Sequence, residues 1–223
     1  KETETPVPSF TVVDHLPQHL TLETTRYPKS GDPNPTARLC VLPADPTAST
    51  PPTPRWIDTS AYKPEELLLV RVGWTPDSKH VVFQAQNKDQ TWLDLNLGDA
   101  KDGSVCRIFR ECNPPPPYST SPKGKDGGNG NGITSSGPGV RPWVNVLMEP
   151  EWLDDGSFVW LSERTGFSHL YHYQCDGKGG RTRTALTSGD WEVRSVHGMD
   201  KQRGLVFVSA TKDGDTESHV YSV

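Results

Sequence analysis

The sequence predicts an all-β fold, a partial β-propeller with about three to four blades' worth of four-stranded antiparallel sheet. Three observations predict it. Short apolar strands are separated by turn residues, one strand-turn-strand pattern occurs three times, and long polar stretches rich in Pro and Gly connect the copies. Repeats of roughly 40–50 residues that each carry several short strands are typical of propeller blades.

The clearest copy of the pattern runs from Trp152 to Tyr173 and predicts a hairpin. Residues 154–156, Asp-Asp-Gly, are a turn signal, because glycine tolerates positive φ and aspartate bonds its own backbone. The run 158–161 is apolar at every position, so a strand there must be covered on both faces. A second turn at 165–168 leads into an aromatic strand at 169–173.

The same pattern occurs twice more. One copy begins at Trp74, which lies 78 residues before Trp152, and the long Pro- and Gly-rich stretch accounts for the large spacing. A late copy begins with the strand 205–209, and three extra residues in its turn precede its second strand at 219–221. Each copy is too thin to form a core alone, so neighbouring copies are expected to stack.

These patterns divide the chain into four parts of one propeller domain. Residues 1–54 are predicted to hold the end of a preceding blade and a Tyr-Pro-Lys strand region, and residues 55–113 the Trp74 blade. Residues 114–142 contain 14 Pro or Gly among 29 and predict a flexible, solvated insertion. Residues 143–223 are predicted to form the Trp152 blade and the start of the next.

Further strands are expected within these parts. Residues 36–42 predict a strand before a Pro-rich loop. Residues 66–72 feed the Trp74 blade, and residues 105–109 close it. Residues 143–147 are expected to re-enter the sheet after the insertion.

Composition excludes several classes of function. The net charge is −5 and Lys and Arg are scattered singly, so no basic stripe for nucleic acid is present. No apolar run approaches the length of about 18 residues that a membrane span needs. The four cysteines lack C-x-x-C spacing and predict no zinc site. A disulfide that includes Cys106 or Cys112 remains an alternative if this chain belongs to a longer, exported protein.

Other candidate sites have simpler structural interpretations. His169 and His172 are three residues apart on a strand and would face opposite ways, so no metal site is predicted. Residues 213–215, Asp-Gly-Asp, lack the rest of a calcium loop and predict a hairpin turn. The Gly-rich stretch 124–132 opens no helix, so no phosphate or cofactor site is expected. A set of tryptophans at matched repeat positions is expected to pack between blades rather than stack on a ligand: Trp74, Trp152 and Trp191.

Three motifs resemble signatures of the dipeptidyl peptidase IV family of prolyl oligopeptidase-type serine peptidases. They read RYPKSGDPNPT at 26–36, SERTGFSHLY at 162–171 and TSGDWEV at 187–193, in the order found in that family. The resemblance covers nearly the whole chain. It implies the N-terminal propeller domain, which in that family has eight blades and caps a C-terminal α/β-hydrolase domain. The parent would then release N-terminal dipeptides with Pro or Ala at the second position.

The catalytic machinery itself is expected to be absent from this chain. An α/β-hydrolase nucleophile sits in a G-x-S-x-G elbow, and no such pentapeptide occurs in the sequence. The nearest stretch, 132–137, lies in the predicted insertion without a flanking strand or helix. No catalytic residue is therefore assigned, and the chain alone is not expected to be an enzyme.

The resemblance also implies substrate-binding residues. The family holds the substrate amino terminus with two adjacent glutamates, but the pair Glu65-Glu66 follows Lys63-Pro64 and opens a strand, so it is not assigned that role. Family arginines near Trp143 touch substrate carbonyls. The matching stretch here reads WVNVLM and contains no arginine, so Trp143 and Asn145 are the candidate substrate-facing residues.

Two main functional hypotheses follow. In the first, the chain shields the serine peptidase site of its C-terminal α/β-hydrolase domain and admits only small or unstructured peptides. In the second, it is a stand-alone binding or scaffold propeller, and a polysaccharide or peptide sensor is a third hypothesis. No compartment is assigned, and an exported or periplasmic parent is compatible with the resemblance. Open blade flanks with Phe10, Val12 and the strand 205–208 predict self-association.

Overall fold

In the computed structural model of this chain the structure describes residues 2–3, 7–44, 47, 49–50, 52–112, 143–175 and 181–223. The described residues form seventeen strands and no helix. Consequently no helix in this part of the chain is long and apolar enough to cross a membrane. In chain order the strands are β1 Glu2–Thr3, β2 Ser9–Asp14, β3 Thr21–Arg26, β4 Thr36–Ala37, β5 Cys40–Val41, β6 Arg55–Trp56, β7 Leu67–Trp74, β8 His80–Asn87, β9 Leu93–Asp99, β10 Val105–Glu111, β11 Glu151–Trp152, β12 Phe158–Ser162, β13 His169–Cys175, β14 Arg181–Ala185, β15 Val193–Asp200, β16 Leu205–Ala210 and β17 His219–Ser222.

The longer strands form consecutive antiparallel meanders. The Trp74 blade has the order β10-β9-β8-β7, and the Trp152 blade has the order β11-β12-β13-β14. A third sheet, β15-β16-β17, contains the late copy of the repeat. No closed ring of sheets forms within the described residues. The predicted all-β fold and its partial propeller of four-stranded sheets are confirmed.

Strand β12 shows how the blades stack. Its residues Phe158 and Trp160 belong to a buried cluster shared with the Trp74 blade, which includes Val82 and Leu95. The alternate residues Val159 and Leu161 belong to a second buried cluster, shared with β15 and β16. Because side chains alternate across a strand, an uninterrupted apolar run supplies both clusters at once. The prediction of a strand covered on both faces is confirmed.

Equivalent turns connect the first two strands of each blade. Gly156 has φ of +79°, and Asp155 Oδ1 accepts hydrogen bonds from the Ser157 amide at 2.9 Å and hydroxyl at 2.6 Å. In the Trp74 blade, Asp77 Oδ1 accepts a 2.7 Å bond from the Thr75 hydroxyl. These side-chain hydrogen bonds lower the pKa of both Asp77 and Asp155. The turn predicted from Asp-Asp-Gly is therefore present, and so is its counterpart 78 residues earlier.

Two strand predictions are wrong in part. Residues 36–42 form two short strands with different partners, because Thr36–Ala37 pairs with β1 and Cys40–Val41 pairs with β6. Residues 143–147 form no strand, and the first ladder of the Trp152 blade begins only at Glu151. The carbonyls of Val144 and Met148 accept hydrogen bonds from glutamine side chains of β8 instead of from a neighbouring strand.

The N-terminal hairpin stands apart from the blades. Strands β2 and β3 pair only with each other, and almost every residue in them is exposed. Its apolar side chains include Phe10 at 39% and Val12 at 48% exposure. Residues 114–142, predicted to be a flexible insertion, lie outside the described residues.

Candidate functional site

The candidate site is built on the extended segment 143–150, which lies between the Trp74 and Trp152 blades. The side chain of Gln86 donates a 2.8 Å hydrogen bond to the Val144 carbonyl. The side chain of Gln84 donates a 2.7 Å bond to the Met148 carbonyl. The Val144 amide donates to the Gln90 carbonyl at 2.8 Å. Both glutamines are buried, so the segment is held at defined points without being part of a ladder.

This anchoring places the two predicted site residues at the surface. Trp143 is 58% exposed, and its Nε1 donates a 2.9 Å hydrogen bond to Asn145 Oδ1. Asn145 Nδ2 lies 3.0 Å and 2.9 Å from the two carboxylate oxygens of Glu163. The structure thus brings Trp143 and Asn145 together and adds Glu163, which follows β12. An aromatic face, an amide and a carboxylate suit a ligand that combines an apolar part with hydrogen-bond donors.

A buried acid lies beneath this surface and joins the two blades. Glu111 ends β10, and its Oε2 accepts a 2.8 Å hydrogen bond from Trp160 Nε1 of the next blade. Its Oε1 accepts a hydrogen bond from the Ser162 hydroxyl and lies 3.6 Å from Arg164 Nη2. Burial raises the pKa of Glu111, and the positive charge of Arg164 opposes that increase.

Arg164 connects this acid to the aromatic strand β13. Its Nε donates a 2.7 Å bond to Ser162 Oγ, and its Nη2 donates a 2.6 Å bond to the Tyr173 hydroxyl. The guanidinium carbon also lies 4.8 Å from the centre of the Tyr171 ring. Burial raises the pKa of Tyr173. The network fixes the turn that carries Glu163, so the polar surface has a rigid support.

A second buried acid supports the outer part of the Trp74 blade. Asp94 is fully buried and accepts two hydrogen bonds from Arg110, at 2.8 Å and 2.9 Å. Tyr62 donates a 2.9 Å hydrogen bond to the same carboxylate, and Arg107 lies 3.3 Å away. Burial, with the nearby negative charge of Asp94, raises the pKa of Tyr62. The sequence patterns do not predict either buried acid, because Asp94 alternates with leucines in β9 and Glu111 is the last residue of a mixed strand.

The motif at 187–193 closes the Trp152 blade through His169. The His169 Nδ1 lies 3.0 Å from Thr187 Oγ1, and its Nε2 lies 2.9 Å from the Gly189 carbonyl oxygen. Trp191 packs edge-on against the imidazole, with ring centres 5.1 Å apart. Gly189 has φ of +128°, and a Cβ there would lie 2.5 Å from Trp191 Nε1, so glycine is required. The motif has a structural role.

The remaining candidates stay apart from one another. The ring of His169 is held as described, whereas His172 bonds to Ser157 Oγ at 2.8 Å. No group of three or more potential metal ligands occurs in the part of the chain that is described. Glu65 and Glu66 lie in the turn before β7 rather than on the strand, and Lys63 pairs with Glu66 at 3.2 Å. The stretch 132–137 lies outside the described residues.

The tryptophans at matched positions differ in environment. Trp152 packs against the cluster between the first two blades, and Trp191 packs against the next cluster, as predicted. Trp74 is 51% exposed, so the prediction of inter-blade packing is wrong for this residue.

Among the cysteine side chains that the structure describes, Cys40 and Cys112 are partly buried free thiols and Cys106 is an exposed one.

Consecutive four-stranded antiparallel sheets that share buried clusters define this chain as a run of β-propeller blades. The family model for the N-terminal region of dipeptidyl peptidase IV (DPP IV) matches residues 2–223. The chain therefore belongs to that family, and the assignment made from the three motifs is confirmed.

Individual relatives agree with this assignment. The "probable dipeptidyl peptidase 4" of Emericella nidulans is 30% identical, with 99% of this chain and 26% of the relative covered. The dipeptidyl peptidase 4 of Arthroderma otae is 27% identical, with 99% and 25% covered. The crystal structure of Porphyromonas gingivalis dipeptidyl peptidase 4 matches with a TM-score of 0.74 at 19% identity, covering 100% of this chain and 27% of that chain, and shows a shared fold. The chain spans about a quarter of the length of these proteins.

Proposed function

We propose that this chain is the non-catalytic propeller segment of a dipeptidyl peptidase IV-like serine peptidase and that it controls which substrates reach an α/β-hydrolase domain of the same parent. The parent would release N-terminal dipeptides, with Pro or Ala favoured at the second position. The family match over residues 2–223 carries this proposal. The sequence also contains no G-x-S-x-G elbow, so acyl transfer would depend on residues elsewhere in the parent.

The proposed selection works by shape. Stacked blades form a rigid wall, because each inter-blade cluster is built from side chains of two sheets. A folded protein would be too large to pass such a wall, whereas an unstructured peptide could pass. The chemistry of cleavage would remain with the hydrolase domain.

Trp143, Asn145 and Glu163 are the proposed substrate-facing residues of this segment. Their hydrogen-bonded surface is held by buried glutamines on one side and by the Glu111–Arg164 network on the other. Glu163 offers a negative charge to a substrate cation, and Asn145 fixes its carboxylate by donating to both oxygens.

The test compares the full-length protein with its Asn145→Ala and Glu163→Gln variants on alanyl-proline and glycyl-proline reporter substrates. The proposal predicts hydrolysis by the full-length protein, inhibition by a serine-directed phosphonate and a KM raised about tenfold in Glu163→Gln through loss of a charged contact. The matched control is Glu217→Gln, because Glu217 is an exposed acid in the loop before β17 with His219 as its partner. Absence of hydrolysis would instead support a binding or scaffold propeller.

A further inference from the structure

A pocket of about 140 Å³ lies beside Trp74, at the boundary between the Trp74 blade and the following segment. Strand β7 supplies residues 71–74 of its lining, and β8 supplies Gln84 among others. Glu149 and Trp152 complete the opposite wall. The pocket is separate from Trp143, Asn145 and Glu163, none of which contributes to its lining.

The pocket follows a sheet edge that has no partner strand in the described chain. Strand β7 pairs with β8 alone, and no backbone hydrogen bond links it to another described element. The short strand β4 lies near β7 but pairs with β1. Edge strands present a row of N–H and C=O groups that can pair with another extended chain. As the first strand of its blade, β7 would line the central channel of a propeller.

Several side chains beside this edge are exposed or lack a polar partner. Val72 and Trp74 share one side of the strand by two-residue alternation, and they are 49% and 51% exposed. Arg71 and Glu149 form no ion pair with any described residue. The buried side chain of Gln84 has an Oε1 atom without a hydrogen-bond partner in the same part of the chain. Apolar area, opposite charges and an unused acceptor therefore occur together.

The size of the pocket indicates what would fill it. A volume of 140 Å³ is below the range of roughly 300–1,000 Å³ typical of small-molecule sites. It resembles the cavity of about 150 Å³ that accepts benzene in an engineered protein. One aromatic side chain fits this space, and a free strand edge beside it can hold the backbone that carries that side chain. Arg71 and Glu149 bring opposite charges to the same pocket, which suits the dipole of a peptide group better than a net charge does.

We propose that the edge of β7 binds an extended peptide as an added strand, with one aromatic side chain of that peptide in the pocket beside Trp74. The inference rests on the proposed function, since a substrate peptide would be the natural occupant of a channel-lining edge. It adds a second peptide contact, which does not involve Asn145 or Glu163, that favours longer substrates with an aromatic residue over dipeptide reporters.

The test uses the full-length protein and an N-acetylated decapeptide of Ser, Thr and Ala with one central Phe and a C-terminal fluorescein. Acetylation blocks removal of an N-terminal dipeptide, so fluorescence anisotropy measures binding alone. Trp74→Ala should weaken binding by about tenfold, as loss of an aromatic anchor does. Trp74→Phe should retain most of it. The matched control is Phe167→Ala, because Phe167 is an exposed aromatic residue that does not line the pocket.

A second probe separates strand addition from simple side-chain contact. The same peptide with alternate backbone amides N-methylated cannot pair along one edge, so it should bind at least about tenfold more weakly. Equal binding of both peptides, or unchanged binding by Trp74→Ala, would overturn the inference.

The same protein samples are assayed with the alanyl-proline reporter. Hydrolysis without decapeptide binding would overturn this inference and leave the proposed function standing. Decapeptide binding without hydrolysis would support the strand-edge site and overturn the peptidase assignment. Hydrolysis of the reporter should be the same in Trp74→Ala and the unchanged protein, because the reporter is too short to reach β7.

Discussion

Removing the carboxylate that joins the first two blades should destabilise the protein strongly. Glu111→Leu leaves the Trp160 N–H without its 2.8 Å acceptor and the Ser162 O–H without an acceptor for its hydrogen. Breaking a buried ion pair by removing one member costs about 3–5 kcal/mol. Arg164 keeps its bonds to Ser162 and Tyr173, so we expect the lower end, about 3 kcal/mol.

The assay is equilibrium urea unfolding followed by tryptophan fluorescence. Glu217→Leu is the matched control, because this acid is exposed and its pairing with His219 contributes about 0.5 kcal/mol or less. A loss below about 1 kcal/mol for Glu111→Leu would refute the reasoning, because it would show that the inter-blade carboxylate has no net role. An unchanged m-value would confirm that the variants expose the same amount of surface on unfolding.

Three further predictions concern pH, backbone conformation and assembly. Burial raises the pKa of Glu111 above its unfolded value, so the stability that Glu111 contributes is complete at low pH and is lost as pH rises through the folded pKa. The free energy of unfolding should therefore fall with pH in that window, by at most about 1.4 kcal/mol per pH unit. This slope should vanish in Glu111→Gln. Gly189→Ala should cost more than the roughly 1 kcal/mol expected of Gly156→Ala, because both have positive φ but only the first Cβ meets Trp191, as thermal unfolding would show. Val12→Glu should shift sedimentation of this chain toward monomer if exposed apolar edges drive self-association, whereas a monomer in the unchanged chain would refute that prediction.

The sequence predicts the blade strands well because each depends on local patterns. The uninterrupted apolar run of β12 requires cover on two faces, and the structure provides a cluster on each. Turn residues such as Gly156 mark strand ends through their own backbone preferences. Both kinds of information are contained within a few neighbouring residues.

What the sequence does not predict depends on contacts between distant residues. Gln84 and Gln86 alternate with apolar residues in β8, a pattern that normally indicates a solvent-facing side. They are instead buried, because they bond to the carbonyls of Val144 and Met148 about sixty residues away. Glutamine side chains take the place of a neighbouring strand as hydrogen-bond donors to these carbonyls, which explains why 143–147 is not a strand.

The candidate site shows the same division. The family resemblance predicts Trp143 and Asn145 as substrate-facing residues, and the structure brings the two side chains into contact. Glu163 and the Glu111–Arg164 network were not predicted, because their roles arise from the meeting of two blades. The exposure of Trp74 is not predicted either, since Trp74 has the same repeat position as Trp152, which packs against a buried cluster.

Size selection by the full-length protein tests the central claim most directly. One polypeptide that begins with Ala-Pro would be offered both folded and permanently unfolded, and release of its N-terminal dipeptide would be followed by mass spectrometry. If stacked blades guard a peptidase site, only the unfolded form should lose the dipeptide. Equal cleavage of both forms would contradict the gating role, and cleavage of neither form alongside active dipeptide reporters would show that the wall excludes polypeptides altogether.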